Sequence, residues 1–165
     1  MDSPKSPVSL PIVPLKTRDS GSQMEVWDLI RRKWLVLTPE EHVRQCLVHY
    51  LLDCLKVPKG LMSLERVVKY NSMSKRYDVL VFDRQGAPFL LCECKAPYVP
   101  INDETLFQWS VYHRELQSQV LLLTNGKVLL AAARDGSGEW RPLKLPLSPG
   151  AEGWTMGSRE YVFED

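Results

Sequence analysis

The chain has 165 residues, 44% apolar and 25% charged, the balance of a globular protein large enough to bury a core without disulfide or metal staples. A formal net charge of +1 excludes the global basic field of a general nucleic-acid binder, so any such contact must come from a local patch or a partner. The N-terminus has no apolar signal core and no run reaches membrane-spanning length, so a cytoplasmic protein with no membrane segment is expected. Cys46, Cys54, Cys92 and Cys94 show no zinc spacing, and the last two, two apart on one strand, suit a disulfide poorly; buried free thiols are expected.

In chain order, residues 1–23 carry Pro4, Pro7, Pro11 and Pro14 among serines and charges, a composition that predicts a mobile leader. Residues 24–37 read as short extended segments, with Arg31, Arg32 and Lys33 between Trp27 and Trp34. Thr38-Pro39-Glu40-Glu41 is a helix start: Thr38 caps, Pro39 suits the first helical position and Glu41 closes a capping box. Val43, Cys46, Leu47, Tyr50, Leu51, Cys54 and Leu55 recur at helical spacing, and Pro58 and Gly60 end the pattern. Residues 61–70 read as a strand and 71–75 as a turn. Residues 77–83 and 88–95 form a hairpin about 84–87. A second helix is expected from Asn102 or Asp103 to about Gln117, then a hairpin of 120–124 and 127–133 about Asn125-Gly126. The Gly- and Pro-rich residues 134–165 read as a loosely packed C-terminal extension. The domain is thus 24–133, an α/β or α+β fold in the order αβββαββ, one central mixed sheet flanked by helices.

The central hairpin places chemistry. With Gln85 and Gly86 at the turn centre, Phe82 faces Phe89, Leu80 faces Leu91 and Asp78 faces Glu93 on one side. The other side pairs Val81 with Leu90, Val79 with Cys92 and Tyr77 with Cys94. Opposed carboxylates on an apolar face repel, and at about 4.5–5.5 Å between Cβ atoms they can share a hard divalent cation. Lys95, two residues beyond Glu93, projects from the same face. Two acids and a lysine suit phosphodiester hydrolysis, in which a metal activates water and the lysine orients the nucleophile or stabilises developing charge. The ordinary alternative is an acid at a strand end and a salt bridge.

Arg76-Tyr77-Asp78 with Glu93-Cys94-Lys95-Ala96-Pro97 resembles the core of PD-(D/E)xK nucleases, and more narrowly the N-terminal nuclease domain of type I restriction enzyme R subunits. The likeness extends to residues 30–34, 37–41, Val43-Arg44-Gln45 and Thr124-Asn125-Gly126. It implies a restriction-endonuclease-like core and a metal-dependent hydrolase of DNA in restriction, defence or repair, with Mg2+ or Mn2+ as cofactor. By resemblance Asp78, Glu93 and the main-chain carbonyl of Cys94 are metal ligands and Lys95 is the catalytic lysine. An acid on the first helix often completes such sites; Glu41 is preferred to Glu40, its capping role being an equal explanation. Gln108 and Tyr112, i and i+4 on the second helix, look like a Q-x-x-x-Y element bordering the active site, or equally a helix–sheet boundary. Arg76, facing Lys95 in the hairpin register, ranks first among the phosphate contacts, followed by Lys75, Arg31, Arg32 and Lys33; Trp27 and Trp34 suit packing better than base stacking. No G-x-x-x-x-G-K-[ST] loop is present, so a motor or specificity subunit would be another chain. A homodimer would suit double-strand cutting. The competing reading is a catalytically inactive nucleic-acid- or protein-binding module with the same fold.

Overall fold

The computed structural model describes residues 8–143 except 71 and 113. A first antiparallel sheet joins β1 (Thr17–Asp19), β2 (Met24–Asp28) and β3 (Lys33–Val36). Helix α1 (Pro39–His49) follows, capped by Thr38, whose Oγ1 accepts from Glu41 N at 3.0 Å. The expected capping box is half made. Thr38 N donates to Val36 O, and the Glu41 carboxylate turns to Arg31, Arg44 and Gln45 instead. The helix runs on through a π-helical turn, Tyr50–Cys54, and ends where Lys56 takes a left-handed φ of 57°, ahead of Pro58.

The remaining strands are β4 (Met62–Leu64), β5 (Val67–Tyr70), β6 (Met73–Arg76), β7 (Val79–Phe82) and β8 (Pro88–Cys94), then β9 (Val120–Thr124), β10 (Leu129–Arg134) and β11 (Trp140–Pro142). Helix α2 (Asp103–Tyr112) lies between β8 and β9. It starts at Asn102, whose Oδ1 accepts from Thr105 N at 2.9 Å. The main sheet has the order β11-β10-β9-β8-β7-β4. Only β8 and β9 run parallel, as a strand–helix–strand crossover requires, so the sheet is mixed. Along the chain five strands, β4–β8, separate α1 from α2 and three follow it, against the expected αβββαββ: the strand expected over 61–70 breaks at Glu65 into β4 and β5, and Met73–Arg76, expected largely within a turn, is β6.

Alternation along the strands makes two apolar layers. Val79, Val81, Leu90, Cys92 and Val120 pack with Val43, Leu47 and Leu51 of α1 and its continuation. Leu80, Leu91, Leu121 and Leu123 pack with Leu106 and Trp109 of α2. The β7–β8 register follows the expected pairing from Val79–Cys92 to Val81–Leu90, then shifts, so Phe82 faces Pro88 rather than Phe89. Tyr77 leaves the ladder and packs on the Leu80 side, not opposite Cys94.

Two expectations about the chain ends need correction. Val8, Leu10, Val13 and Leu15 pack on the core, although the prolines among them had suggested a mobile leader. Val8 O accepts from Leu129 N at 2.8 Å and Leu10 N donates to Gly126 O at 3.1 Å. Prolines 11 and 14 keep this segment extended without disturbing the ladder it crosses. At the other end β11 pairs with β10 and Leu143 is buried; residues 144–165 lie outside the described residues. Cys46, Cys92 and Cys94 are buried free thiols as expected, whereas Cys54 is exposed. Among the described residues no helix is long and apolar enough to cross a membrane.

Leu10→Ala should lower unfolding free energy by about 2 kcal/mol or more in urea denaturation, the cost of emptying a core site. A mobile leader would leave the midpoint unchanged.

Candidate functional site

At the end of β2 lies Asp28, which is fully buried. Its Oδ1 accepts from Ile30 N at 2.8 Å and Arg31 N at 2.6 Å, closing the β2–β3 turn in which Arg32 has φ 53°. Its Oδ2 accepts from Arg31 Nε and Gln45 Nε2, both at 2.8 Å. Burial works to raise the Asp28 pKa, but these hydrogen bonds and the Arg31 charge outweigh it and hold the carboxyl below its ordinary value.

Arg31 also donates to Glu41 Oε1 at 2.8 Å and to Glu65 Oε2 at 2.5 Å. Arg44, its side chain only 5% exposed, completes the cluster from α1. One of its nitrogens pairs with Glu41; the other reaches Glu40 at 3.1 Å and Asp78 Oδ1 at 2.9 Å. Glu65 lies 3.5 Å from Arg44 and also binds Arg76. Burial opposes the charged guanidinium, but Asp78, Glu41 and Glu65 together raise the Arg44 pKa above its ordinary value. The same arginines, with Arg76, overcome burial and lower the pKa of Glu65.

Asp78 sits just ahead of β7 and accepts from Cys94 N through Oδ2 at 2.6 Å, which sets it against the Glu93–Cys94 peptide. Glu93 receives Lys95 Nζ at 2.8 Å. Burial, and then the neighbouring Asp78, push Glu93 up to about 7 in spite of Lys95. Lys95 is itself raised, because Glu93, Asp78 and Glu40 outweigh its partial burial. The strand end is pinned from below: Lys95 N donates to Thr124 O at 2.8 Å, and Asn125 Nδ2 reaches Val99 O at 2.9 Å.

The structure therefore gathers Asp78, Glu93, Cys94 and Lys95. Glu41 is turned away into the arginine cluster, and the α1 acid whose charge bears on Glu93 and Lys95 is Glu40. Arg31 is a structural cation in the cluster, while Arg32 and Lys33 are exposed at the β2–β3 turn. Arg76 faces Val67 in the β5–β6 hairpin, not Lys95, because the β7–β8 register ends at Val79. Lys75 is buried in that hairpin. Gln108 is exposed on α2 and bonds Glu104 at 3.4 Å; the Tyr112 side chain lies outside the described residues. Trp27 and Trp34 stack edge to face across β2–β3 at 5.4 Å, with Lys16 and Arg18 over their rings, a packing role.

Asp28, Arg44, Gln45 and Glu65 were not singled out from sequence. The one available signal was Arg44 and Gln45 at i+3 and i+4 from Glu41, polar residues within an otherwise apolar helical stripe.

The profile of the family described as Type I restriction enzyme R protein N terminus (HSDR_N) matches residues 39–144. The chain belongs to that family. The match begins at α1 and spans every residue of the Asp78–Glu93–Lys95 group. No curated protein matches the chain. A solved structure of a fragment assigned as an HsdR subunit of a type I restriction enzyme from Vibrio vulnificus is similar at 23% identity and a TM-score of 0.36. The likeness covers 53% of this chain and 19% of that one. Placed in the HSDR_N family, the chain presents its acids and lysine at the ends of β7 and β8, next to the N-terminal turn of α1.

Two outcomes test this electrostatic reading. Arg44→Ala should cost about 3 kcal/mol or more in urea denaturation at pH 7, since it strands buried carboxylates. Glu93 has a folded pKa above its ordinary 4.5, so its contribution to stability is complete below about pH 4.5 and lost as the pH rises through 7. Glu93→Gln, in chelator, should therefore raise the thermal midpoint at pH 8 and leave it nearly unchanged at pH 4.

Proposed function

We propose that the chain is a metal-dependent nuclease domain hydrolysing DNA phosphodiester bonds, with a PD-(D/E)xK-type site in a restriction-endonuclease-like core and a role in a type I restriction system. The observation that carries this reading is a charge imbalance. Among the described residues and their ion pairs here, six carboxylates, on Asp28, Glu40, Glu41, Glu65, Asp78 and Glu93, meet four cations, on Arg31, Arg44, Arg76 and Lys95. Full ionisation leaves two negative charges, and the raised Glu93 pKa beside Asp78 marks where they fall.

Among the described residues no three His, Cys, Asp or Glu side chains form a metal cage. The donor set still fits Mg2+ or Mn2+: carboxylate oxygens of Asp78 and Glu93, with the Cys94 carbonyl as the third oxygen, are hard ligands of the kind these ions prefer. A bound cation would supply water activation and charge neutralisation. Asp78 is oriented for that role from both sides, by Arg44 and by the Cys94 amide. Lys95, held on Glu93 and part-exposed, can meet the scissile phosphate or its nucleophile. Arg32 and Lys33, exposed at the turn beside the cluster, are the phosphate contacts that remain open; Arg76 is exposed but paired with Glu65, and Arg31 is engaged within the cluster.

One observation favours the alternative, an inactive binding module: Arg44 already neutralises Asp78. The experiment that separates them incubates plasmid and linear DNA with Mg2+ or Mn2+. The nuclease reading expects cleavage, reduced at least about 100-fold by Asp78→Asn, Glu93→Gln and Lys95→Ala with the circular dichroism spectrum unchanged. Calorimetry should show Mn2+ binding to the wild type and none to Asp78→Asn. DNA binding without cleavage, unaltered by these substitutions, would establish the binding module instead.

A further inference from the structure

The strands β4–β5 and β6–β7 are one antiparallel ribbon. Met62 faces Val81 and Leu64 faces Val79; Val67 faces Arg76 and Tyr70 faces Met73, and the register does not shift between the two halves. Between them Glu65 N donates to Asp78 O at 3.0 Å and Tyr77 N to Arg66 O at 3.4 Å. The β4–β7 half lies in the six-stranded sheet, whereas the β5–β6 half forms a sheet of its own. The ribbon therefore leaves the main sheet at Asp78, and its β5–β6 half, with Lys75 buried on one face, extends roughly 15 Å.

Its charge is unlike the rest of the chain. Between Glu65 and Asp78 there is no acid, while Arg66, Lys69, Lys75 and Arg76 are basic. Removing these four from the 21 Lys and Arg leaves 17 against 20 Asp and Glu, so the local basic patch that the sequence demands of a DNA binder is here. Val67, Lys69, Ser74 and Arg76 share one face of the ribbon and are all exposed. Among the described residues neither Arg66 nor Lys69 has an ion-pair partner. The base is fixed to the site, since Glu65 binds Arg31 and Arg76 and lies beside Arg44.

We infer that the β5–β6 ribbon is a DNA-gripping arm, which lays its Lys69–Arg76 face along the phosphates of a duplex and so presents one strand to Asp78 and Glu93. A two-stranded ribbon is of a width that the roughly 12 Å major groove admits. This deepens the nuclease reading and rests on it only for the position of the cut.

The test measures fluorescence anisotropy of a labelled duplex of about twenty base pairs in EDTA over a salt series, so that no catalysis enters. Lys69→Ala/Arg76→Ala should weaken binding about tenfold or more and lower the salt slope by about two. Lys59→Ala/Lys127→Ala, an equal loss of exposed charge elsewhere, should change affinity less than about threefold. Equal effects of the two pairs, no duplex binding by the wild type, or tighter binding of the single strand would each overturn the arm. Metal-dependent cleavage is scored separately: cleavage intact with the arm variant binding normally refutes the arm alone. A tenfold arm effect with no cleavage refutes the nuclease reading alone.

Discussion

The structure turns on a guanidinium buried among carboxylates. Arg44 lies in contact with acids from three separate stretches of chain: Glu40 and Glu41 on α1, Glu65 after β4 and Asp78 before β7. Burying such a charge is costly unless its partners are in place, and the partners are equally costly without it. Each therefore holds the others. Arg31 extends the same logic to Asp28, which closes the β2–β3 turn, so the small N-terminal sheet is tied to the main body through charge as well as packing.

The acids divide into two kinds. Asp28 and Glu65 are met by arginines, whose planar forks offer several donors in fixed geometry, and both are held ionised below their ordinary pKa. Glu93 has only Lys95, a point charge on a flexible and part-exposed stem, and its proton affinity rises instead. A residue left short of countercharge beside a second carboxylate is unfavourable for folding. Its place at a strand end, only partly buried by its neighbours, is the observation behind the proposed cation site.

How much of this was legible in sequence follows from what each signal can carry. The turn centre at Gln85-Gly86 set the β7–β8 pairing correctly for Val79 to Val81, because alternation on two buried faces leaves little freedom. Beyond those residues it failed at both ends: a bulge displaces Phe82, and the ribbon's departure at Asp78 carries Tyr77 and Arg76 away. Extrapolating a register assumes that both strands stay paired, and no residue announced that the chain before β7 parts from β8 while keeping its partner on the other side. The α1 stripe and the Asn125-Gly126 turn were readable from local propensity. The leader was misread because composition weighs prolines and serines and ignores that Val8, Leu10, Val13 and Leu15 can line one extended segment. Arg44 entered only as part of the family likeness and was given no site role, because a buried arginine has no periodic signature of its own.

Backbone strain shows the charge cluster at work on geometry. Glu65 has φ 47° and Arg32 φ 53°, left-handed conformations that cost non-glycine residues on the order of 1 kcal/mol each. Both flank the cluster. The Asp28 carboxylate closes the turn containing Arg32, and Glu65 is met by Arg31, Arg44 and Arg76. At Glu65 the left-handed residue lets the ribbon pass from the β4–β7 ladder, in the main sheet, to the β5–β6 ladder outside it without losing register. At Arg32 it turns two basic side chains to the surface beside the acids. A glycine at Glu65 would satisfy the backbone and lose the anchor, which accounts for a charged residue standing where the conformation alone favours none.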